Sequence, residues 1–101
     1  MAEIIKGTTP TIKFTFSNVE VADLTKAIMT VKKNGEIKIE HDLAAATVDE
    51  NTISWTLSQA ETLAVAGNAE IMLNWLTDEG TRGASNATQV TFTPNHKEVE
   101  I

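Results

Sequence analysis

The residues with which this chain can do chemistry are few. They are His41 and His96, the serines at 54, 58 and 85, two acidic clusters, two tryptophans and one arginine. The histidines stand far apart, and neither has a carboxylate or serine partner at the spacing of a catalytic or metal motif. Both read as solvated side chains. Ser54, Ser58 and Ser85 lie outside any Gly-x-Ser-x-Gly context, so no nucleophile elbow is encoded. Asp49-Glu50-Asn51 and Asp78-Glu79 offer oxygens of the kind calcium takes from loops. Turn chemistry alone favours Asp and Asn, and no Asp-x-Asp-x-Asp-Gly loop is present, so these clusters read as turns. The chain has no cysteine, which excludes disulfides, thiolate catalysis and zinc–cysteine sites. The expectation is a protein that is not an enzyme and carries no cofactor.

Two places remain for a binding role. Trp55 and Trp75 can stack on sugars, but both fall in phase with inward aliphatic residues and read as core. Arg82-Gly83-Ala84-Ser85-Asn86 holds the chain's only arginine. A glycine inside a strand marks a bulge or a close backbone approach, and arginine is enriched at interface hot spots. In the charged segment 95–101, Val99 and Ile101 alternate with acids as a strand would, so it is either a disordered tail or an arm that pairs with a neighbour's sheet edge. The candidate interface residues are therefore Arg82, Gly83, Ser85, Val99 and Ile101.

Alternation supplies the elements that must position these residues. Thr11–Phe16 places Ile12, Phe14 and Phe16 on one face. Leu24–Lys33 follows, with either Ala27, Met29 and Val31 or Ile28 and Thr30 inward; the first set reads better because Lys32 then faces out. Asn34-Gly35 then predicts a tight hairpin, because a type I′ turn needs positive φ at both central positions. Glu36–Glu40 returns with Ile37 and Ile39 inward, and Leu43–Asn51 reads as a polar, alanine-rich connection. Thr52–Leu57 places Ile53, Trp55 and Leu57 inward. Ser58-Gln59-Ala60-Glu61 fits a capping box and predicts a short helix over about 58–66, with Ala60, Leu63 and Ala64 as its apolar face and Gly67 as its stop. A hairpin over 69–93 closes the domain, turning at Asp78-Glu79-Gly80, with Asn86, Thr88, Val90 and Phe92 on one face of its return strand. One extra strand is expected, at Ile4-Ile5 or Val19–Val21. Together these predict an all-β, antiparallel sandwich of about 6–8 strands over residues 1–94, with one short helix.

At 101 residues the chain is a single domain, large enough for a core without staples. Fourteen acidic against eight basic residues leave a formal charge of −6, poorly suited to phosphate backbones, so nucleic acid is not an expected partner. The opening MAEIIKGTTP lacks the apolar core of a signal peptide, and no stretch approaches the roughly 18 apolar residues of a membrane span. These features predict synthesis in a cytoplasm and no membrane partner; a small-molecule ligand is not expected either.

The order of motifs resembles one known family. The Gly7–Phe14 strand, the Asp23-Leu24-Thr25 corner and the Thr52–Trp55 strand come first. A helical turn, Asp78–Thr81 and a last strand through Val90-Thr91-Phe92 follow. The pattern is similar to the immunoglobulin-like N-terminal domain of baseplate upper proteins, and of similar small tail-associated proteins, from phages of Gram-positive bacteria. The resemblance implies an immunoglobulin-like sandwich and a structural role in a tail, baseplate or head accessory part. Its partners would be other virion proteins and copies of itself, in a symmetric ring. The alternative expectation is a carbohydrate- or cell-surface-binding module, which requires exposed aromatic rings.

Overall fold

The structure is a computed structural model and describes residues 2–17 and 19–101, so Asn18, in the expected Ser17–Asp23 connection, and Met1 lie outside it. Two sheets pack face to face, as the alternation predicts. Strands β1 (Ala2–Ile5), β2 (Thr11–Thr15), β3 (Leu24–Lys33), β4 (Glu36–Asp42) and β5 (Thr47–Asp49) come first. After β6 (Thr52–Thr56) and helix α1 (Gln59–Leu63) follow β7 (Gly67–Thr77), β8 (Arg82–Ala84) and β9 (Thr88–Thr93). The larger sheet runs β1-β9-β7-β3-β4, with β8 also on β7; the smaller runs β2-β6-β5. This is the immunoglobulin arrangement, with β2-β6-β5 in the places of strands B, E and D and β9-β7-β3-β4 in those of G, F, C and C′. One pairing departs from the antiparallel expectation: β1 lies parallel to β9.

The core follows the predicted phase. Ala27, Met29 and Val31 from β3 and Ala69, Ile71 and Leu73 from β7 face Ile53, Trp55 and Leu57 of the opposite sheet. Trp55 is 2% exposed, and its indole N–H donates to the Asp42 carbonyl at 2.8 Å. That bond satisfies the polar end of a ring that otherwise buries some ~150–250 Å². Phe14 meets Trp55 edge-on, and Phe16 meets Trp75 edge-on with centroids 5.1 Å apart. The second contact bridges the two sheets from the end of β2 to β7, the strands that carry the inter-sheet disulfide in antibody domains. Here aromatic packing serves where cysteine is absent.

Three local expectations are corrected. Ile37 is 52% exposed, while Ile39 is buried. Val31 pairs with Ile39 but Lys32 with Ile37, so Lys38 is an extra residue and the bulge flips Ile37 to the outer face. Within the 43–51 connection, Thr47–Asp49 is a strand on β6 and Leu43–Ala45 a 3-10 turn; exposure of all three strand residues hid it from a pattern search. Of the two places offered for an extra strand, Ile4-Ile5 lies in β1, and Val21 begins a 3-10 turn, Val21–Asp23. The helix ends at Leu63 and buries Thr62 instead of Ala60 and Ala64. The Thr62 hydroxyl accepts from the Gly7 amide at 2.9 Å and donates to the Thr8 carbonyl at 2.8 Å, so a polar side chain holds this helix to the 7–8 loop. The capping box is present: Ser58 Oγ accepts from the Glu61 amide, and the Glu61 carboxylate accepts from the Ser58 amide.

Candidate interaction surface

Strand β7 positions most of what faces outward. Its alternate residues Glu70, Met72, Asn74 and Leu76 are turned away from the core, beside Lys26, Ile28 and Thr30 of β3. Ile28, Met72 and Leu76 are only half-buried, so an apolar strip runs along the outer face of the larger sheet. At one end the strip deepens into a groove of about 260 Å³ lined by Lys26, Ile28, Asn74, Trp75, Leu76 and Arg82. Ile28 and Leu76 form its apolar floor, and Lys26 and Arg82 stand exposed around it. Arg82 donates from Nη2 to Asn74 Oδ1 at 3.2 Å. Neither cation forms an ion pair among the described residues.

The predicted interface residues fall into four places. Arg82 belongs to the groove. Gly83 pairs with Trp75 across the β7–β8 ladder, with the indole lying against it; a Cβ built there would be 2.4 Å from Trp75 Cε2 and Cζ2. The close approach anticipated at Gly83 is therefore a packing contact with its own chain. Ser85 mends the ladder where β8 gives way to β9. Its amide donates to the Leu73 carbonyl at 2.8 Å, and its hydroxyl accepts from the Leu73 amide at 2.9 Å. The expected return strand is thus two strands, joined across this repair. Val99 and Ile101 lie elsewhere, in the segment docked on Lys6 and α1. That docking is near the Gly67 end of β7, since Lys6 follows β1 and the Lys6 amide donates to Thr93, whose neighbour Phe92 pairs with Gly67. Trp75 is eight residues further along, about 26 Å at ordinary strand rise. The structure therefore separates Arg82, Gly83 and Ser85 from Val99 and Ile101.

One titratable contact escaped the sequence reading. His41 is not freely solvated: its Nε2 atom is shut off from water, with Glu61 Oε2 at 2.6 Å. The approach is off the line of a hydrogen bond, so the contact is ionic when the imidazole is protonated. It ties the β4 edge to α1, with Glu61 serving the helix cap through its other oxygen. No spacing rule joins positions 41 and 61, which only the sandwich brings together. His96 is exposed. Among the described residues no three His, Asp or Glu side chains come together as a metal-ligand set, and no helix is long and apolar enough to cross a membrane.

The aromatic rings pack on the core, Phe16, Trp55 and Phe92 buried and Phe14 and Trp75 half-buried. Trp55 and Phe92 are fully buried, and the large apolar residues exposed among the described ones are all aliphatic: Ile5, Ile37, Val48, Val99 and Ile101. Neither a family model nor a curated protein matches the sequence. Among solved structures the fold is similar to that of CopC from Methylosinus trichosporium OB3b, with a TM-score of 0.60 at 12% identity, over 96% of this chain and 89% of that one. At that identity the likeness concerns the fold alone, a β-sandwich in both.

Proposed function

We propose that this chain is a non-catalytic assembly module working through protein–protein contacts, and that its setting is a phage particle. The single observation behind this reading is the outer face of the larger sheet. An apolar floor of Ile28 and Leu76 rimmed by two unpaired cations is more than solvation of a sheet asks for. The particle setting comes from the sequence resemblance to tail-associated domains. On this reading the chain is made in the host cytoplasm and joins other virion proteins. A sugar-binding role would have to rest on Trp75, whose half-buried ring lines the groove but is already packed against Phe16 and Gly83. The test is mass spectrometry of phage particles purified from the strain whose genome encodes the chain. Its peptides are expected in a fixed stoichiometric ratio to tail proteins through successive density gradients. Loss of those peptides on purification overturns the reading.

A further inference from the structure

We infer that the groove on the outer sheet face receives residues 98–101 of a second copy of this chain, joining copies head to tail. The inference rests on the assembly reading above and names its partner. The groove calls for two apolar groups at a set spacing with acid beside them. Ile28 and Leu76 are diagonal neighbours, since Ile28 pairs with Asn74 and Lys26 with Leu76. Such neighbours stand roughly 7–8 Å apart. Val99 and Ile101 are alternate residues, whose side chains lie about 6.6 Å apart in an extended segment. They are 59% and 94% exposed, the latter the greatest exposure of any large apolar side chain among the described residues. Glu98 and Glu100 flank them. Lys26 and Arg82 have stems long enough to lie beside an inserted apolar pair while their heads meet the Glu100 carboxylate in water, Glu98 being held within its own copy by Lys6 and the Asn95 amide.

The segment is already held in a presenting form. The Gln59 side chain accepts from the Ile101 amide at 2.8 Å and donates to its carbonyl at 3.2 Å. Lys6 pairs with Glu98 at 3.1 Å, and the Asn95 amide donates to Glu98. The backbone is thus fixed while the apolar side chains project into solvent, which lowers the ordering cost of docking. The groove and the segment lie toward opposite ends of a molecule 46 Å long, so a copy does not fill its own groove. A contact of this kind is heterologous, and repeated it closes a ring or extends a filament. The small area implies weak association per contact, and charges met at the rim make it salt-sensitive.

Sedimentation velocity of the full chain over a wide concentration range at low ionic strength tests this. The mass should rise with concentration, and the rise should shrink at high salt. Arg82→Glu and the Val99→Asp/Ile101→Asp pair change only exposed side chains and should keep the wild-type far-ultraviolet spectrum and melting temperature. Each should remain monomeric over the range in which the wild type associates. Mixed one to one, the two variants should form dimers and nothing larger, because only one intact groove and one intact segment meet. A wild type that stays monomeric, variants that associate as the wild type does, or a mixture that fails to dimerise each overturns the inference. Association that survives both variants removes this contact yet leaves the assembly reading standing, whereas absence of the chain from particles removes that reading alone.

Discussion

Replacing Gly83 with alanine sets two effects of opposite sign against each other. Gly83 is not at positive φ, so alanine meets no backbone strain. The substitution then removes freedom from the unfolded chain, which by itself stabilises by about 0.4–1 kcal/mol. Against it stands Trp75. The new methyl would lie 2.4 Å from Cε2 and Cζ2 and 2.7 Å from Nε1, so the indole must retreat by about 1 Å to ordinary contact. It is held on its other side by Phe16, edge-on at 5.1 Å. Overpacking of this sort costs about 1–3 kcal/mol, and a weakened aromatic pair up to ~0.5–1.5 more. The clash should win, leaving Gly83→Ala less stable by roughly 1–3 kcal/mol. Urea unfolding followed by fluorescence measures it, with buried Trp55 as the constant reporter. The decisive arm is Trp75→Leu, which removes the ring. In that background Gly83→Ala should be neutral or stabilising, so the two changes couple by about 1 kcal/mol or more. A Gly83→Ala protein as stable as wild type, or an equal loss with and without the indole, would refute the reasoning.

Other contacts yield sharp contrasts. Ile37→Thr should alter stability by less than about 0.5 kcal/mol, whereas Ile39→Ala should cost about 2–5, because the bulge at Lys38 puts only Ile39 inside; equal losses in urea unfolding would disprove that register. Thr62→Val keeps the shape but strands the Gly7 amide and the Thr8 carbonyl, a loss of about 1–3 kcal/mol, with faster hydrogen exchange at Gly7 as the local signature. The Asn95 amide, and after it Lys6, holds the Glu98 carboxyl below the usual glutamate range. A lowered folded pKa stabilises the docked segment above the ordinary glutamate value, and that contribution is lost as pH falls through the folded pKa. Protection of the 98–101 amides relative to their free-chain exchange rates should therefore fall on acidification below about pH 4, and Lys6→Met should abolish part of that dependence; a protection profile flat through this range argues against the Lys6–Glu98 tie.

Where the sequence carried two independent signals for an element, its bounds were legible. Leu24–Lys33 had alternation on one side and Asn-Gly on the other, and it matches the observed strand. Asn34 and Gly35 both take positive φ, as the turn type requires. Illegible features had a single signal or none. The Thr47–Asp49 strand is exposed throughout, so burial leaves no period in it. The bulge at Lys38 is invisible because a one-residue slip preserves composition while exchanging faces. The candidate surface was half legible. Arg82 stood out by rarity, but Ile28 and Leu76 lie out of phase with their strands' inward sets, where an apolar residue reads as noise until β3 and β7 are paired.

That out-of-phase pair is also the strongest reason to place function on a face rather than in a cleft. In β7 the residues at 69, 71, 73 and 75 are committed to packing, with Trp75 committed twice, to Phe16 and to Gly83. Only the intervening positions are free to vary without loss of fold. A face under selection for solubility alone would fill them mostly with charged and hydroxyl side chains, as β4 does with Glu36, Lys38 and Glu40 around its one outward Ile37. Met72 and Leu76 instead keep apolar surface beside Ile28, at a position where the fold gains little from it. Substituting Leu76 with threonine separates the two demands. Stability should change by less than about 1 kcal/mol, since the side chain is outside the core, while self-association should weaken at least tenfold. If unfolding and association were instead lost together, Leu76 would be a core residue by another route, and the outer face would carry no function of its own.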